Sequence, residues 1–153
     1  MHRYEARTAW KRAGATFTDN RYSRGHEWSF DGGVTVPASS SPSVVPLPYS
    51  VVEAIDPEEA LVASASSCHM LSFLFIASKR GFVVESYVDE AFGVMDRNPK
   101  GKLAISRITL RPRIEFTGER VPSTEDLESM HRSAHEECFI ANSLKSEVVV
   151  EAG

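Results

Sequence analysis

The sequence is poor in the features that mark several common classes of protein. Its 153 residues include only two cysteines, and they show no internal repeat and no run of lysine or arginine. The net charge of -4 and the scattered basic residues argue against nucleic acid or an anionic membrane surface as a partner. A chain of this length buries roughly two-thirds of its unfolded surface. It therefore needs neither a disulfide nor a metal ion in order to fold.

The sequence also shows no secretory apolar segment near its start and no stretch with the length of a membrane span. We therefore expect a cytoplasmic protein, whose two thiols stay reduced unless function oxidises them. The length favours a single domain covering residues 1–153. Within it, residues 36–50 are rich in proline and serine and predict a surface loop or an extended lid.

Segments that alternate between apolar and polar residues predict strands, and the helices between them predict an α+β fold. The segment "RITLRPRIEF" predicts one strand, with a bulge or sheet edge at Pro112. Its predicted hairpin partner is "FVVESYVDEAFGVMD", joined to it through "RNPKGK". A hairpin is also expected at Asp31–Gly33. Further strands are predicted in "YEARTAW", "HEWSFDGGVTV" and "LKSEVVVEA".

Two helices are predicted between these strands. The first begins with Asp56 as N-cap and Pro57 at the first helical position, and it runs to about Arg80, before Gly81. Because it is apolar on nearly all sides, we expect it to be buried centrally or in a dimer interface. The second begins at Ser123, with a start similar to a capping box.

Each cysteine lies on an apolar face of a different helix, which leaves three interpretations open. Cys68 and Cys138 could be small buried hydrophobes, since free cysteine is among the most buried residue types. They could instead bind a metal ion with His69, His131 or His135. Geometry weakens that interpretation, because neighbouring residues on a helix point about 100° apart, so Cys68 and His69 cannot converge on one ion.

The third interpretation is redox chemistry, in which Cys68 attacks a peroxide, becomes a sulfenic acid and forms a disulfide with Cys138. The attacking thiol must be deprotonated, and an unperturbed cysteine is only about 3% thiolate at neutral pH. Cys68 is expected some three turns inside its helix, beyond the reach of the helix macrodipole. A cation from elsewhere in the chain is therefore required.

Two segments carry a resemblance to a known family. The segment "DPEEALVASASSC" resembles the helix opening of the OsmC-like and organic hydroperoxide resistance proteins, where the reactive cysteine follows the glutamate by ten residues. The segment "AHEECFIANSLKSEVVVE" resembles their second cysteine region, in which a helix ends at the cysteine and an asparagine follows four residues later. The segment "YSRGHEWSFDGG" occupies the place of their active-site arginine. The Pro/Ser-rich loop favours an OsmC-like subgroup.

The resemblance implies an intertwined homodimer, with antiparallel sheets wrapped around two central helices. It further implies that the protein reduces organic hydroperoxides to alcohols, binds no cofactor and is regenerated by an external dithiol, possibly a lipoyl group or lipoyl protein. Cys68 would be the peroxidatic thiol and Cys138 the resolving one. Arg24, or its neighbour Arg21, would stabilise the thiolate, and Glu58 would orient Arg24.

Helix geometry limits how Glu58 can serve Cys68. Ten residues of helix rise about 15 Å, which is too far for contact along one straight helix. Either the helix breaks near "SASS", or Glu58 and Arg24 serve the Cys68 of a partner subunit; we favour the second alternative.

The apolar residues near Cys68 and in the loop favour bulky organic hydroperoxides over hydrogen peroxide as substrates, if they line the approach to the thiol. Two other functions stay open. One is a redox sensor or ligand-binding protein that does not turn over. The other is a cysteine hydrolase, for which the sequence offers no histidine able to share a face with Cys68.

Overall fold

A computed structural model of the chain describes residues 1–151, which form a mixed α+β fold with three helices and several sheets. The described residues divide into two compact units, residues 1–60 and residues 61 onward, which are treated separately below. The elements, in chain order, are β1 (Ala6–Ala9), β2 (His26–Phe30), β3 (Thr35–Ala38), α1 (Pro57–Lys79), β4 (Val83–Asp89), β5 (Phe92–Arg97), β6 (Leu103–Leu110), β7 (Pro112–Thr117), α2 (Thr124–Glu137), α3 (Phe139–Ser143) and β8 (Glu147–Val150).

The first unit contains an antiparallel sheet in the order β1–β2–β3. Its β2–β3 hairpin closes where the N–H of Phe30 donates to the carbonyl of Val34. Gly33 has a φ of 96°, a conformation that glycine adopts without steric cost. The predicted hairpin at Asp31–Gly33 is therefore confirmed.

The Pro/Ser-rich segment is shorter and more firmly held than predicted. Its first residues, 36–38, belong to β3, so the prediction that the loop starts at residue 36 is wrong. The remainder is anchored by two buried serines. The N–H of Val51 donates to the Ser39 hydroxyl at 2.9 Å, and the Ser50 hydroxyl donates to the carbonyl of Val45 at 2.7 Å.

Helix α1 begins and ends where the sequence predicts. The N–H of Glu59 donates to the Asp56 carboxylate, and the N–H of Asp56 donates to the Glu59 carboxylate, each at 2.8 Å. This reciprocal pair satisfies two backbone donors that a helix start leaves free. After Lys79, Gly81 takes a φ of 83° and ends the helix.

Within the single chain, helix α1 is not buried on all sides, so central burial is wrong and burial in a dimer interface stays a prediction. Within the single chain only one stripe of the helix is buried, formed by Ala65, His69, Phe73 and Ala77 at every fourth position. Leu71 and Phe75 are 61% and 64% exposed. The expectation that no stretch reaches the length of a membrane span is also wrong, since α1 is long and apolar enough by length and composition alone. The core helix of a soluble protein can have the same length and apolar composition.

The second unit holds a two-stranded antiparallel sheet, β4–β7, and a three-stranded sheet in the order β5–β6–β8. Strands β5 and β6 form the hairpin predicted through "RNPKGK", but the predicted partner "FVVESYVDEAFGVMD" is two strands, β4 and β5, in different sheets. Strands β6 and β8 are parallel, so the expectation of antiparallel sheets is wrong for this pair. The single strand predicted from "RITLRPRIEF" is also wrong. It is two strands in different sheets, because Pro112 lacks an N–H and the N–H of Arg111 donates to the Asp89 carboxylate instead.

Two apolar clusters form the core of this unit. One joins Phe73 and Ala77 of α1 to Met130 and Ala134 of α2, against the inner face of the β4–β7 sheet. The other joins Ala65 of α1 to β6, β8 and the short helix α3, with Ile108, Leu110 and Val148 as its other buried members. Helix α2 starts with the predicted capping box at Ser123 and Asp126. Helix α3 is not predicted from the sequence.

Candidate active site

The two cysteines meet at the junction of the two core clusters. Cys68 lies on α1 between Ala65 of one cluster and Phe73 of the other. Cys138 follows the last residue of α2 and precedes α3. The two thiols are free, and they lie close enough for the side chain of Cys68 to contribute to a raised pKa at Cys138. The structure thus brings together two residues that are 70 positions apart in the sequence.

Local backbone geometry holds Cys138 in place. It ends α2 with an extended conformation, φ -70° and ψ 110°, and its N–H donates to the carbonyl of His135. Its sulfur then accepts a hydrogen bond from the N–H of Ala141 at 3.4 Å, so Cys138 caps the start of α3. The carbonyl of Cys138 accepts from the N–H of Asn142. The change of helix direction at this residue sets the position of the thiol.

The environments of the two thiols differ. Cys138 is only 1% exposed, whereas Cys68 is partly exposed. Burial is the main cause of the raised pKa of Cys138, with the neighbouring Cys68 adding to it and the N–H of Ala141 opposing it. Cys138 is therefore held as a protonated thiol, and Cys68 is the cysteine that a molecule from solution can reach.

A buried pair of histidines lies in the same core region. His69, next to Cys68, places its Nε2 3.0 Å from the Nδ1 of His131 on α2. Burial, with smaller contributions from His131 and His135, lowers the pKa of His69 to about 4. Sequence reasoning missed this pair. The two rings belong to different helices 62 residues apart, so no spacing along the chain could have indicated it.

Arg24 lies in the first unit, where its own loop holds it. Its Nη1 donates to the carbonyls of Asn20 and Tyr22, at 2.8 Å and 2.5 Å, and its guanidinium lies 3.6 Å from the centre of the Tyr22 ring. Its N–H donates to the carbonyl of Tyr49. Arg21, in contrast, is exposed. Within this unit the fixed side chain is that of Arg24, although its role toward Cys68 stays a prediction.

Glu58 lies in the first turn of α1, and its Oε2 is buried with no hydrogen-bond partner among the described residues. Buried carboxylate oxygens are nearly always hydrogen-bonded, so this oxygen is suited to a donor. The alternative in which α1 breaks near "SASS" is wrong, because the helix is continuous from Pro57 to Lys79. The role of Glu58 in orienting Arg24 stays a prediction.

The described residues contain no group of three or more histidine, cysteine, aspartate or glutamate side chains arranged to hold a metal ion. The His69–His131 pair supplies two ring nitrogens that face each other at hydrogen-bonding distance. The arrangement therefore offers a dithiol and a buried histidine pair as its chemical groups.

The family model for OsmC-like proteins matches residues 52–153, the part of the chain that contains both cysteines. This chain belongs to the OsmC-like family. Its resemblance to that family, read from the two cysteine segments, is thereby confirmed. A search of curated proteins finds no match.

Solved structures of other family members share the fold. An OsmC-like protein of unknown function from Vibrio cholerae is 52% identical to this chain, and the match covers 100% of both chains with a TM-score of 0.98. An organic hydroperoxide resistance protein OsmC from Legionella pneumophila is 14% identical over 99% of this chain and 96% of that one, with a TM-score of 0.67. An organic hydroperoxide resistance protein from Bacillus subtilis is 14% identical over 99% of this chain and 98% of that one, also with a TM-score of 0.67. These last two likenesses establish the fold of this OsmC-like protein, not its activity.

Proposed function

We propose that this OsmC-like protein is a thiol peroxidase that reduces organic hydroperoxides to alcohols through Cys68 and Cys138. The observation that carries the proposal is the approach of two free thiols of unequal exposure, one partly exposed and one buried. Two cysteines that served only as core residues would need neither to lie close together nor to differ in exposure. Family membership supports a peroxide-related redox role in general terms.

In the first step the Cys68 thiolate attacks the terminal oxygen of the hydroperoxide. A sulfur–oxygen bond forms, the oxygen–oxygen bond breaks, and the alkoxide takes up a proton and leaves as the alcohol. Cys68 is oxidised to a sulfenic acid. We assign this role to Cys68 because it is the cysteine that solvent can reach, and because the pKa of Cys138 is raised.

In the second step Cys138 attacks the Cys68 sulfur. A disulfide forms, the sulfur–oxygen bond breaks, and the hydroxyl leaves as water with the Cys138 proton. An external dithiol, such as a lipoyl group on a protein, then reduces the disulfide by thiol exchange.

The proposal includes a homodimer in which Arg24 and Glu58 complete the site of the partner's Cys68. Three observations support it. Helix α1 is unbroken, so Glu58 cannot reach Cys68 along its own helix. The Oε2 of Glu58 lacks a donor among the described residues. Leu71 and Phe75, on the same helix as Cys68, are apolar and largely exposed in the single chain. The same apolar surface near Cys68 favours a hydroperoxide with an alkyl or aryl tail.

The test is the reaction of reduced protein with one equivalent of cumene hydroperoxide, followed by intact mass, free-thiol content and alcohol release. The proposal expects loss of both thiols, one Cys68–Cys138 disulfide and one cumyl alcohol for each chain. Cys138→Ser should stop at a Cys68 sulfenic acid that dimedone traps. Cys68→Ser should release no alcohol. These two variants are matched, because each leaves one thiol in the same pocket.

Turnover with a dithiol such as dihydrolipoamide separates an enzyme from a sensor. Repeated release of alcohol supports the peroxidase, while a single oxidation without turnover would identify a redox sensor. Survival of both thiols in excess hydroperoxide would reject the proposal. A monomeric variant with full turnover would reject its dimeric form.

A further inference from the structure

The buried histidine pair links the two helices that carry the cysteines. His69 lies on α1, directly after Cys68, and His131 lies on α2, seven residues before Cys138. Their rings are 1% and 8% exposed, and the ring nitrogens Nε2 of His69 and Nδ1 of His131 are 3.0 Å apart. The His131 ring also packs on Phe73, with ring centres 4.5 Å apart. This polar contact therefore lies inside the apolar interface between α1 and α2.

The surroundings of the pair assign its protons. The Nδ1 of His69 is buried and has no hydrogen-bond partner within residues 1–151. A buried N–H without a partner costs more than an unpaired nitrogen lone pair. The Nδ1 of His69 is therefore unprotonated, its Nε2 carries the hydrogen, and that N–H donates to the Nδ1 of His131.

This arrangement costs least while both rings are neutral, because an added proton puts a charge inside the apolar interface. A proton added at the Nδ1 of His131 would place two N–H groups against each other. If the His69 ring then changed tautomer, its own Nδ1–H would be buried without a partner. The first outcome loses the hydrogen bond between the helices, and the second keeps a bond but leaves a buried donor without a partner, so each costs about one hydrogen bond.

The charged and titratable groups around the pair act in both directions. Burial lowers the pKa of His131, while the Asp89 carboxylate on β4 raises it; His135, from α2, lowers the pKa of His69. The Asp89 carboxylate is already bound by the Ser66 hydroxyl and by the N–H of Arg111. Tyr87 on β4 also faces this region, with its ring packed on Phe73 and its buried hydroxyl held in the neutral form. His131, with the nearby carboxylate, is the member of the pair that acid protonates first.

We propose that His69 and His131 are positioning residues whose neutral hydrogen bond holds α2 against α1 and thereby keeps Cys138 beside Cys68. Disulfide formation is then linked to pH. Acid weakens the histidine contact, lets α2 move away from α1 and makes the disulfide less favourable. By reciprocity, closing the disulfide lowers the pKa of the pair. This inference rests on the Cys68–Cys138 pair of the proposed function, but it requires no peroxidase activity.

The test is the equilibrium between the protein dithiol and glutathione disulfide, which gives the protein disulfide and two glutathiones. Below neutral pH all the thiols in this exchange are protonated, so the exchange itself neither takes up nor releases protons. Any pH dependence there comes from other groups whose pKa differs between the dithiol and the disulfide protein. The equilibrium constant of the wild-type protein should fall about tenfold between pH 7 and pH 4.5, the effect of losing one buried hydrogen bond. His131→Phe keeps an aromatic ring on Phe73 but cannot accept the bond. The equilibrium constant of this variant should be about tenfold below the wild-type value at pH 7, and it should change little as the pH falls.

His135→Gln is the matched control, because it removes a histidine from the next turn of α2 without breaking the pair. It should keep the size of the fall in acid, with the midpoint moved slightly toward neutral pH because His135 no longer lowers the pKa of His69. Equal constants and equal pH profiles for the wild-type protein and His131→Phe would overturn the proposal. If His131→Phe does not fold, the ring-proton NMR titration of the wild-type protein decides: the pKa of the pair should be about one unit lower in the disulfide form, and identical values would overturn the proposal.

The two proposals can fail separately. A pH-dependent disulfide in a protein that does not consume hydroperoxide would reject only the peroxidase. Peroxidase turnover with a disulfide equilibrium insensitive to His131 would reject only the positioning role.

Discussion

Cys138 lies close enough to Cys68 for their thiols to interact, yet Cys138 is buried and Cys68 is partly exposed. The order of events in a two-cysteine reaction follows from this relationship. A reagent from solution meets Cys68 first, and Cys138 can react only with what Cys68 has become. The raised pKa of Cys138 supports the same order, since a protonated thiol is a poor nucleophile.

The two cysteines should differ in their rate of alkylation. With iodoacetamide at neutral pH, Cys68 should be modified at least about tenfold faster than Cys138, because Cys138 is buried and its pKa is raised. Peptide mass spectrometry after short exposure measures both rates. In urea the two rates should become similar. Faster labelling of Cys138 in the folded protein would reverse the assignment of roles.

Arg24 and Arg21 form a matched pair for testing the proposed cation. Arg24→Met should lower the second-order rate of Cys68 oxidation by cumene hydroperoxide about 100-fold, the scale of one charged group that stabilises the reacting centre. Arg21→Met should leave the rate within about twofold, because Arg21 is exposed. Stopped-flow kinetics of the reduced proteins gives both values. The opposite result would move the role to Arg21.

The histidine pair predicts a loss of stability in acid. The pKa of His69 is lowered from 6.5 to about 4 in the folded protein, so the unfolded chain takes up the proton first as the pH falls. The stabilisation of the folded protein by the neutral His69 is complete above about pH 6.5 and is lost as the pH falls toward 4. The loss lowers the free energy of unfolding by about 3 kcal/mol. Urea unfolding at several pH values measures it. The acid slope should persist in the surface variant His2→Gln and shrink in His69→Gln.

Two phenylalanines on α1 separate the core from the exposed face. Phe73→Ala should lower the free energy of unfolding by about 3–5 kcal/mol, because Phe73 is fully buried between α1, α2 and the β4–β7 sheet. Phe75 is 64% exposed, so Phe75→Ala should cost the chain far less. In the proposed homodimer its effect should instead appear as weaker association in sedimentation equilibrium. Equal losses of stability would contradict this division of the helix.

Gly93 on β5 should not tolerate a side chain. A Cβ there would lie 2.8 Å from the Cγ2 of Val62 on α1 and 3.3 Å from the Cγ2 of Ile105 on β6. Gly93→Ala should therefore lower the free energy of unfolding by about 1–3 kcal/mol. At Gly32 a Cβ would meet nothing within 4 Å, and Gly32→Ala should stay within about 0.5 kcal/mol. Thermal and urea unfolding of both variants make the comparison.

The elements predicted correctly from the sequence have their signals close together in the chain. Asp56 and Glu59 cap α1 three residues apart, and Ser123 and Asp126 do the same for α2. The β2–β3 turn needs only its own glycines. Such interactions form within one turn of chain, so neighbouring residues suffice to predict them.

The errors concern partners that lie far apart in the sequence. The end of β6 at Arg111 depends on a hydrogen bond to Asp89, which lies 22 residues earlier. The parallel pairing of β6 with β8 brings together segments on either side of α2 and α3. Local periodicity carries no information about which distant strand provides the hydrogen bonds, so it could not show that "RITLRPRIEF" divides between two sheets.

The sequence by itself determined the α+β composition, the ends of the two long helices and the two cysteine segments that identify the family. Only the tertiary structure decided that Cys138 lies beside Cys68, that one thiol is buried and the other partly exposed, and that His69 binds His131 across 62 residues. The reason is physical. Capping and periodicity are properties of adjacent residues, whereas the distance between two thiols, their burial and the pKa of a buried histidine depend on how α1 and α2 pack.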